Sequence, residues 1–441
     1  MSDLLFARAL MGMSLAFHIL FAAAGIGMPL LMAIAEGIYL RHGNAVYLEL
    51  ARRWAKGTAI LFAVGAVSGT VLSFELGLLW PGFMAHAGAV IGMPFSLEGF
   101  AFFTEGIFLG LFLYGWNRLP PRVHWLTGWM VALGGVFSGI FVVTANAWMN
   151  TPAGFDLVDG EFTNIRPIAA MLNPAAFHEV VHMTVAAFVA TGFVVAGIHA
   201  YFLLRNPSSE FHRAAFRIGA TVGCVAIPLQ ILTGDLAARR VAKLQPAKLA
   251  ALEAHYRTQT RAPLILGGIP DDDQMRVRYA LEIPSGLSLG LGWSAETEVI
   301  GLDQFPREDW PNVRLVHWSF DAMVVCGMFL LAVAAIAGWK AARRRPLIEQ
   351  RGLLKLFVIA APMGFIAIET GWMVTELGRQ PWIIYGVMRT SEAVTPMPGL
   401  VVPFLMFTLL YLFLGVSVVS LLKRQLIQSG QTPPPEDSHE T

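Results

Sequence analysis

Nine long apolar blocks order this chain, near residues 9–36, 57–80, 96–116, 123–147, 178–204, 216–235, 316–339, 354–376 and 400–422. Each reaches the roughly 20 residues that a helix needs to cross a bilayer core. In lipid a span must satisfy its own backbone hydrogen bonds, and blocks of this length do so as helices. The pattern predicts an all-α integral membrane protein, a bundle of about nine transmembrane helices. The first block has only Arg8 as a basic flank and stays apolar to about Ala35, so it reads as a membrane helix rather than a cleaved leader. Pro228 interrupts the sixth block, the least regular of the set.

Lysine and arginine set the expected orientation. The first-to-second connection holds Arg41, Arg52, Arg53 and Lys56; the seventh-to-eighth holds Lys340, Arg343, Arg344, Arg345, Arg351 and Lys355. On the other side the second-to-third connection has none. The N-terminus is therefore expected outside and the C-terminus inside a bacterial inner (plasma) membrane. Four regions follow: helices one to six over 1–235, an outer loop over 236–315, helices seven to nine over 316–422, and a polar, Pro-rich tail over 423–441 expected to be disordered. The loop is long and charged, yet long loops translocate largely regardless of charge. Its segment PAKLAALEAHYRT, starting at Pro246, reads as a short amphipathic helix.

Composition agrees with this picture. Apolar residues make up 56% of the 441 and charged ones 14%, against roughly 25% charged in soluble domains. That excludes a soluble enzyme on a single anchor. The net charge of +1 offers nothing to nucleic acid. Cys224 and Cys326 both sit in apolar runs and read as packing residues.

The stretch 369–382, ETGWMVTELGRQPW, breaks the apolar pattern. Glu369 and Glu376 lie about two helical turns apart, and Arg379 and Pro381 follow at once. Alone, this reads equally well as a capped helix end. Depth along the other helices changes that. His18 falls in the outer half of the first helix, and Glu98 opens the third from outside with Glu105 about 10 Å deeper. His182 lies in the outer turns of the fifth, Met323 two turns into the seventh, and Glu376 at the outer end of the eighth. Ionisable residues at membrane depth are costly, so their gathering on one level points to function. A His–Met pair suits a low-spin haem, a lone His or carboxylate leaves a position open for a gas, and buried carboxylates relay protons. His178-Glu179-Val180-Val181-His182 also fits the H-E-x-x-H zinc pattern, with Asp235 as a third ligand. That alternative, an intramembrane zinc metalloprotease, leaves His18, Glu98, Met323 and GRQPW without a role.

Taken in order, the motifs resemble subunit I of cytochrome bd-type quinol oxidases, including the cyanide-insensitive branch. The resemblance rests on AFHILF around His18, SLEGFAFFTEG with Glu98 and Glu105, TANAWMNTP with Asn146, and VVHMTVA around His182. It continues through AKLAALEAHYRTQ and GIPD in the loop, FDAMVVCG around Met323, and GWMVTELGRQPW. It implies a respiratory terminal oxidase that oxidises ubiquinol or menaquinol at the outer face and reduces O2 to water. Protons would come from the cytoplasm, building a proton-motive force without pumping.

The same resemblance implies roles for single residues. His182 and Met323 would be axial ligands of a low-spin haem b558. His18 and Glu376 would be ligands at two high-spin haems, b595 and d (or a further haem b in place of haem d), with Glu98 close by. Glu105 would join a proton path. Lys248 and Glu253 would bind and deprotonate quinol, Arg379 would steady reduced haem or a propionate, and Asn146 and Trp372 would support the ligands. A subunit II is implied, with a small single-span subunit and membrane lipid as further partners. An electron-transfer subunit without oxygen chemistry is the other reading of a haem protein. Two features depart from the family pattern: Asp321 stands two residues before Met323 where Arg is frequent, and the loop is of the short type.

Overall fold

The computed structural model describes residues 3–428. In chain order its elements begin with helices α1 (Asp3–His42), α2 (Ala45–Leu79), α3 (Pro81–Tyr114) and α4 (Pro121–Asn150). A small hairpin, β1 (Asp156–Val158) with β2 (Glu161–Thr163), and a short α5 (Pro167–Met171) lead to α6 (Ala176–Arg205) and α7 (Glu210–Leu244). The loop carries α8 (Pro246–Leu252), β3 (Leu264–Leu266), β4 (Ile269–Asp271), β5 (Arg276–Arg278), β6 (Leu281–Ile283) and α9 (Gly286–Gly292). After it come α10 (Val313–Ala342), α11 (Arg351–Ala360), α12 (Met363–Leu377), the pair β7 (Trp382–Ile384) and β8 (Met388–Arg389), a short α13 (Thr390–Ala393), and α14 (Val401–Gln428). Among the described residues nine spans are long and apolar enough to cross a membrane, with α11 and α12 together making the eighth.

Local chemistry accounts for the boundaries. Asn44, Ser209 and Asn312 cap α2, α7 and α10 by accepting a hydrogen bond from a backbone N–H of the first turn. Pro81 and Pro121 stand at the starts of α3 and α4, where a missing N–H costs nothing. Pro362 divides the eighth span into α11 and α12. Pro228, by contrast, lies inside an unbroken α7.

The spans form two rings of four. In the first, α1 neighbours α2, α2 neighbours α3, α3 neighbours α4, and α4 closes on α1. In the second, α6, α7, α10 and α12 neighbour one another in the same way. The α6 helix packs on both α1 and α4 and so joins the rings, while α14 lies against α1 and α2 at the rim. The closest seam is α6 on α7. A Cβ on Gly192 would sit 2.4 Å from the backbone N of Gly223, so only glycine allows this approach.

The loop is a folded unit. β3 pairs with β6 around the inner hairpin β4–β5, all antiparallel. Its core of Leu249, Leu252, Tyr256, Ala262, Leu287, Val299 and Leu302 continues into Val313 and Val316 of α10 and Val374 of α12.

Several helix ends differ from expectation. α3 begins at Pro81 and not near 96, because Phe83, Val90 and Ile91 bury a helical face there despite Pro94. Glu98 thus sits at the midpoint of α3 and not in its opening turn. α7 runs on to Leu244, and α14 continues through Lys423 and Arg424 to Gln428, so the expected disordered tail starts as helix. The rest of that tail, 429–441, lies outside the described residues.

Gly192→Val should overpack the α6–α7 seam at a cost of about 1–3 kcal/mol. A melting curve of the detergent-purified protein should then show a clearly lower midpoint. An unchanged midpoint would mean that the seam tolerates side chains.

Candidate functional site

A chain of hydrogen bonds crosses the end of the bundle that faces the loop. Lys248 of α8 is 4% exposed, and its Nζ donates to Asn150 Oδ1 at 2.6 Å. Asn150, the last residue of α4, donates through Nδ2 to Oδ1 of Asn146 at 3.2 Å. Asn146 Nδ2 donates in turn to Glu376 Oε1 at 2.6 Å, and Arg379 Nη2 donates to Glu376 Oε2 at 2.6 Å. Gln245 adds a bond from Nε2 to the carbonyl of Asn150 at 2.9 Å. The chain works because Asn146 and Asn150 are one helical turn apart, so both amides share a face of α4. Arg379 is 2% exposed, and its Nε and Nη1 have no hydrogen-bond partner among the described residues. Burial pushes the Lys248 amine below its ordinary range, with the Glu179 carboxylate partly opposing that shift.

Two histidines are oriented by one device. His18 Nδ1 lies 2.9 Å from Ser68 Oγ on α2, and that hydroxyl donates to the carbonyls of Val64 and Gly65. Its proton is therefore spent, Ser68 accepts from His18 Nδ1–H, and the Nε2 lone pair is left for another partner. His182 Nδ1 lies 3.1 Å from Thr233 Oγ1 on α7, whose hydroxyl donates to Gln230 O. Its Nε2 lone pair meets the Gln230 amide at 3.1 Å.

Glycines make room beside the donor atoms. A Cβ on Gly69 would meet the His18 ring at 3.0 Å, one on Gly234 the His182 ring at 3.4 Å, and one on Gly371 the Met323 sulfur at 3.1 Å. His182 and Met323 belong to α6 and α10, which face each other across the diagonal of the second ring. Trp372, like Leu15 and Met183, packs on the buried cluster of Ile19, Ala23, Ala187 and Ile368 that joins α1, α6 and α12.

The carboxylates of α3 occupy the first ring. Ser138 Oγ donates to Glu98 Oε1 at 3.0 Å across α3 and α4. Glu105, 5% exposed, packs against Gly134 so closely that a Cβ there would lie 2.9 Å from its own Cβ. Glu98 and Glu105 therefore line one seam with α4.

Lys248 and Glu253 take different neighbours. Lys248 points to Asn150, whereas Glu253 closes α8 and is buried with Oε2 unpartnered among the described residues. Burial, with the Asp321 charge adding to it, raises the Glu253 carboxyl to about 8. Asp321 is held by Gly267 N at 2.9 Å and lies 3.4 Å from His317 Nε2, so it ties the loop to α10. The H-E-x-x-H triplet does not close. Asp235 is engaged by Arg239 at 2.8 Å, and no group of three or more His, Cys, Asp or Glu side chains gathers around a metal position among the described residues.

Residues that the sequence did not single out complete the site: Ser68, Thr233, Gln230, Gln245 and Asn150. Only Asn150 had a visible signal, its spacing of four from Asn146. Glu179 was visible only as part of the zinc pattern, yet its charge acts on Lys248.

Comparison with known proteins supplies the context. The family described as cytochrome bd terminal oxidase subunit I matches residues 6–430. A putative cytochrome bd menaquinol oxidase subunit I of Bacillus subtilis (strain 168) is 38% identical over 427 residues, 96% of each chain. The cytochrome bd-II ubiquinol oxidase subunit 1 of Escherichia coli (strain K12) is 30% identical, covering 86% of this chain and 87% of its own length. The structure of bd oxidase from Geobacillus thermodenitrificans superimposes with a TM-score of 0.91 at 39% identity, over 97% of this chain and 98% of that one.

The raised Glu253 carboxyl gives the loop a pH dependence of defined sign. A folded-state value near 8 against an ordinary 4.5 means that the folded loop holds this proton more tightly. Its contribution is complete below about pH 4.5 and is lost as pH rises through about 8. Hydrogen exchange across residues 245–312 should therefore speed up over that window beyond its intrinsic pH dependence. Glu253→Gln should remove the excess, and an equal excess in that variant would refute the assignment.

Proposed function

The chain belongs to the cytochrome bd terminal oxidase subunit I family, and on that premise we propose how its residues divide the work. It is a multi-pass membrane protein of a haem-containing quinol:O2 oxidoreductase, and the family implies a subunit II beside it. The single observation that carries the residue assignment is the shared histidine device: a hydroxyl with its proton already spent holds Nδ1–H and turns the Nε2 lone pair outward, free at His18 and facing the Gln230 amide at His182.

His182 and Met323 would hold the low-spin haem b558. His18 and Glu376 are assigned to the high-spin sites, b595 and d or a further haem b, with Glu98 near them. The donor set fits: a neutral imidazole pairs with a thioether at one site, an imidazole and a carboxylate serve the others, and glycine stands beside three of the donors. The two unpartnered guanidinium nitrogens of Arg379, Nε and Nη1, fit an anionic propionate. At the low-spin site the Gln230 amide must turn aside from His182 Nε2. Bound haem supplies one-electron carriers and an open position for O2.

The protein's own groups handle protons and geometry. Each quinol loses two electrons and two protons, and each O2 takes up four of each to give two waters, so two quinols are consumed per O2. Glu253, buried and held near 8, is suited to accept a quinol proton near neutral pH. Lys248, anchored by Asn150, donates a hydrogen bond to the quinol oxygen. Asn146 and Arg379 hold Glu376 at both oxygens, and Trp372 packs where α1, α6 and α12 join. Glu105 and Glu98 with Ser138 carry protons along the α3–α4 seam. Ubiquinol or menaquinol is oxidised outside and protons are drawn from the cytoplasm, so charge separates without a pump.

The lysine and arginine pattern supports an outer N-terminus in a bacterial inner membrane, with 245–312 as the quinol loop. The continuous exposed face of α3, α2 and α14, including Phe103, Phe74 and Phe413, is the assigned contact for subunit II, with a small single-span subunit elsewhere on the rim.

Visible spectra of the purified complex test the ligands. His182→Ala and Met323→Ala should each lose the low-spin band and keep the high-spin ones; retention of that band in either would overturn the axial pair. Ser68→Ala should weaken haem retention only at a high-spin site and Thr233→Ala only at the low-spin site, each by roughly tenfold or more. Glu253→Gln should slow quinol-driven oxygen consumption by about 100-fold or more while the dithionite-reduced spectrum stays unchanged. An intact complex that consumes no oxygen with reduced quinol would reject the oxidase reading.

A further inference from the structure

At the end of the bundle remote from the loop, α7 and α10 part to leave a cleft of about 470 Å³ that opens on the outer surface of the second ring. That volume lies within the roughly 300–1,000 Å³ of ordinary ligand pockets. The cleft exists because α10 presents Ala334, Ala337 and Gly338 there while α7 presents Ala220 and Cys224. A Cβ on Gly338 would meet nothing within 4 Å, so the space is not filled by neighbouring side chains. The walls are apolar, and Arg217 is the one charged residue lining them.

Charge collects at the mouth. The lining ends at Ala341 on one side and resumes at Pro346, so Arg343, Arg344 and Arg345 form the turn that borders it. Arg343 lies flat on Trp339 at 4.3 Å, and all three side chains are exposed. Arg217 is also exposed, and none of these four arginines makes an ion pair among the described residues. Glu349 is the acid nearest in sequence, and it pairs with none of them. An apolar slot opening to the bilayer, capped by unpaired guanidinium groups at the level where helices leave the membrane, has the chemistry of one class of ligand. Clusters of this kind between spans on the basic side recognise anionic headgroups.

We propose that this cleft binds one anionic phospholipid of the inner leaflet, with an acyl chain between α7 and α10 and the phosphate held by Arg217 and the 343–345 turn. The site is separate from the quinol loop, which lies at the other end of α7. Zwitterionic lipid can fill the slot but gains less at its mouth, because its ammonium opposes the arginines. Guanidinium–phosphate pairing is charge-assisted and bidentate, so Arg217 should matter more than its net charge alone.

The test uses the detergent-purified oxidase complex, exchanged into nanodiscs of equal phosphatidylglycerol and phosphatidylethanolamine, then returned to detergent for native mass spectrometry and lipid extraction. One tightly retained phosphatidylglycerol per complex is expected. Arg217→Gln should reduce its retention about tenfold, and Arg217→Lys should restore part of it. Gly338→Leu, which fills the open slot, should release lipid of either headgroup, with the haem spectrum unchanged in all three variants. The proposal fails if Arg217→Gln retains as much phosphatidylglycerol as the parent, or if the two lipids are retained equally. It also fails if a single-span polypeptide crosslinks to position 338 and no lipid is retained.

Discussion

Arg379 brings a full charge into a site that is 2% exposed, and the loop-facing end of the bundle is arranged around offsetting it. Its ion pair with Glu376, at 2.6 Å, is of the kind whose loss on one side leaves the other charge stranded at about 3–5 kcal/mol. The second oxygen of Glu376 is taken by Asn146, which pins α12 to α4. Asn150 extends the same chain to Lys248 and Gln245, which seats α8 on the end of α4. One buried cation thus fixes the relation between the second ring, the first ring and the loop. A second cation, Lys248, stands near Glu179 and Glu376, so the cluster holds two bases and two acids in a small volume. Electrical balance here is a condition of folding as much as of chemistry.

A quieter constraint governs the two histidines. Inside a membrane bundle a ring nitrogen that must stay free for ligation needs the other one occupied. Serine and threonine on the neighbouring helix provide that, and because each hydroxyl donates to its own helix backbone, it has only acceptance left to offer. The arrangement selects a tautomer without introducing a charge, which a carboxylate partner would do. Glycine next to each ring then keeps the space that a flat group requires.

Much of this architecture was legible in the chain. The nine apolar blocks follow from hydrophobic patterning, a local signal. His18, His182, Met323, Glu376 and Arg379 stood out because charged or ligating side chains are rare in such blocks. What stayed hidden was non-local. Ser68 and Thr233 look like any helix hydroxyl until the fold sets them against histidines 50 and 51 residues away. α3 starts well before its apolar block because Phe83 and Ile91 are buried there despite Pro94. Lys248 and Glu253 are near in sequence, and the fold gives each its own neighbours, since five residues turn a helix by about 140°.

The loop's core is completed by Val313, Val316 and Val374, all of which follow it in the chain. A ribosome finishes residues 245–312 before α10 and α12 exist. The loop therefore lacks part of its own interior when it first emerges, and it can consolidate only after two later helices have been inserted. Its maturation waits on those two helices, and a fault in the seventh or eighth span would leave it open to proteolysis. The loop thus reports, by its own compactness, whether the membrane part it packs on was assembled.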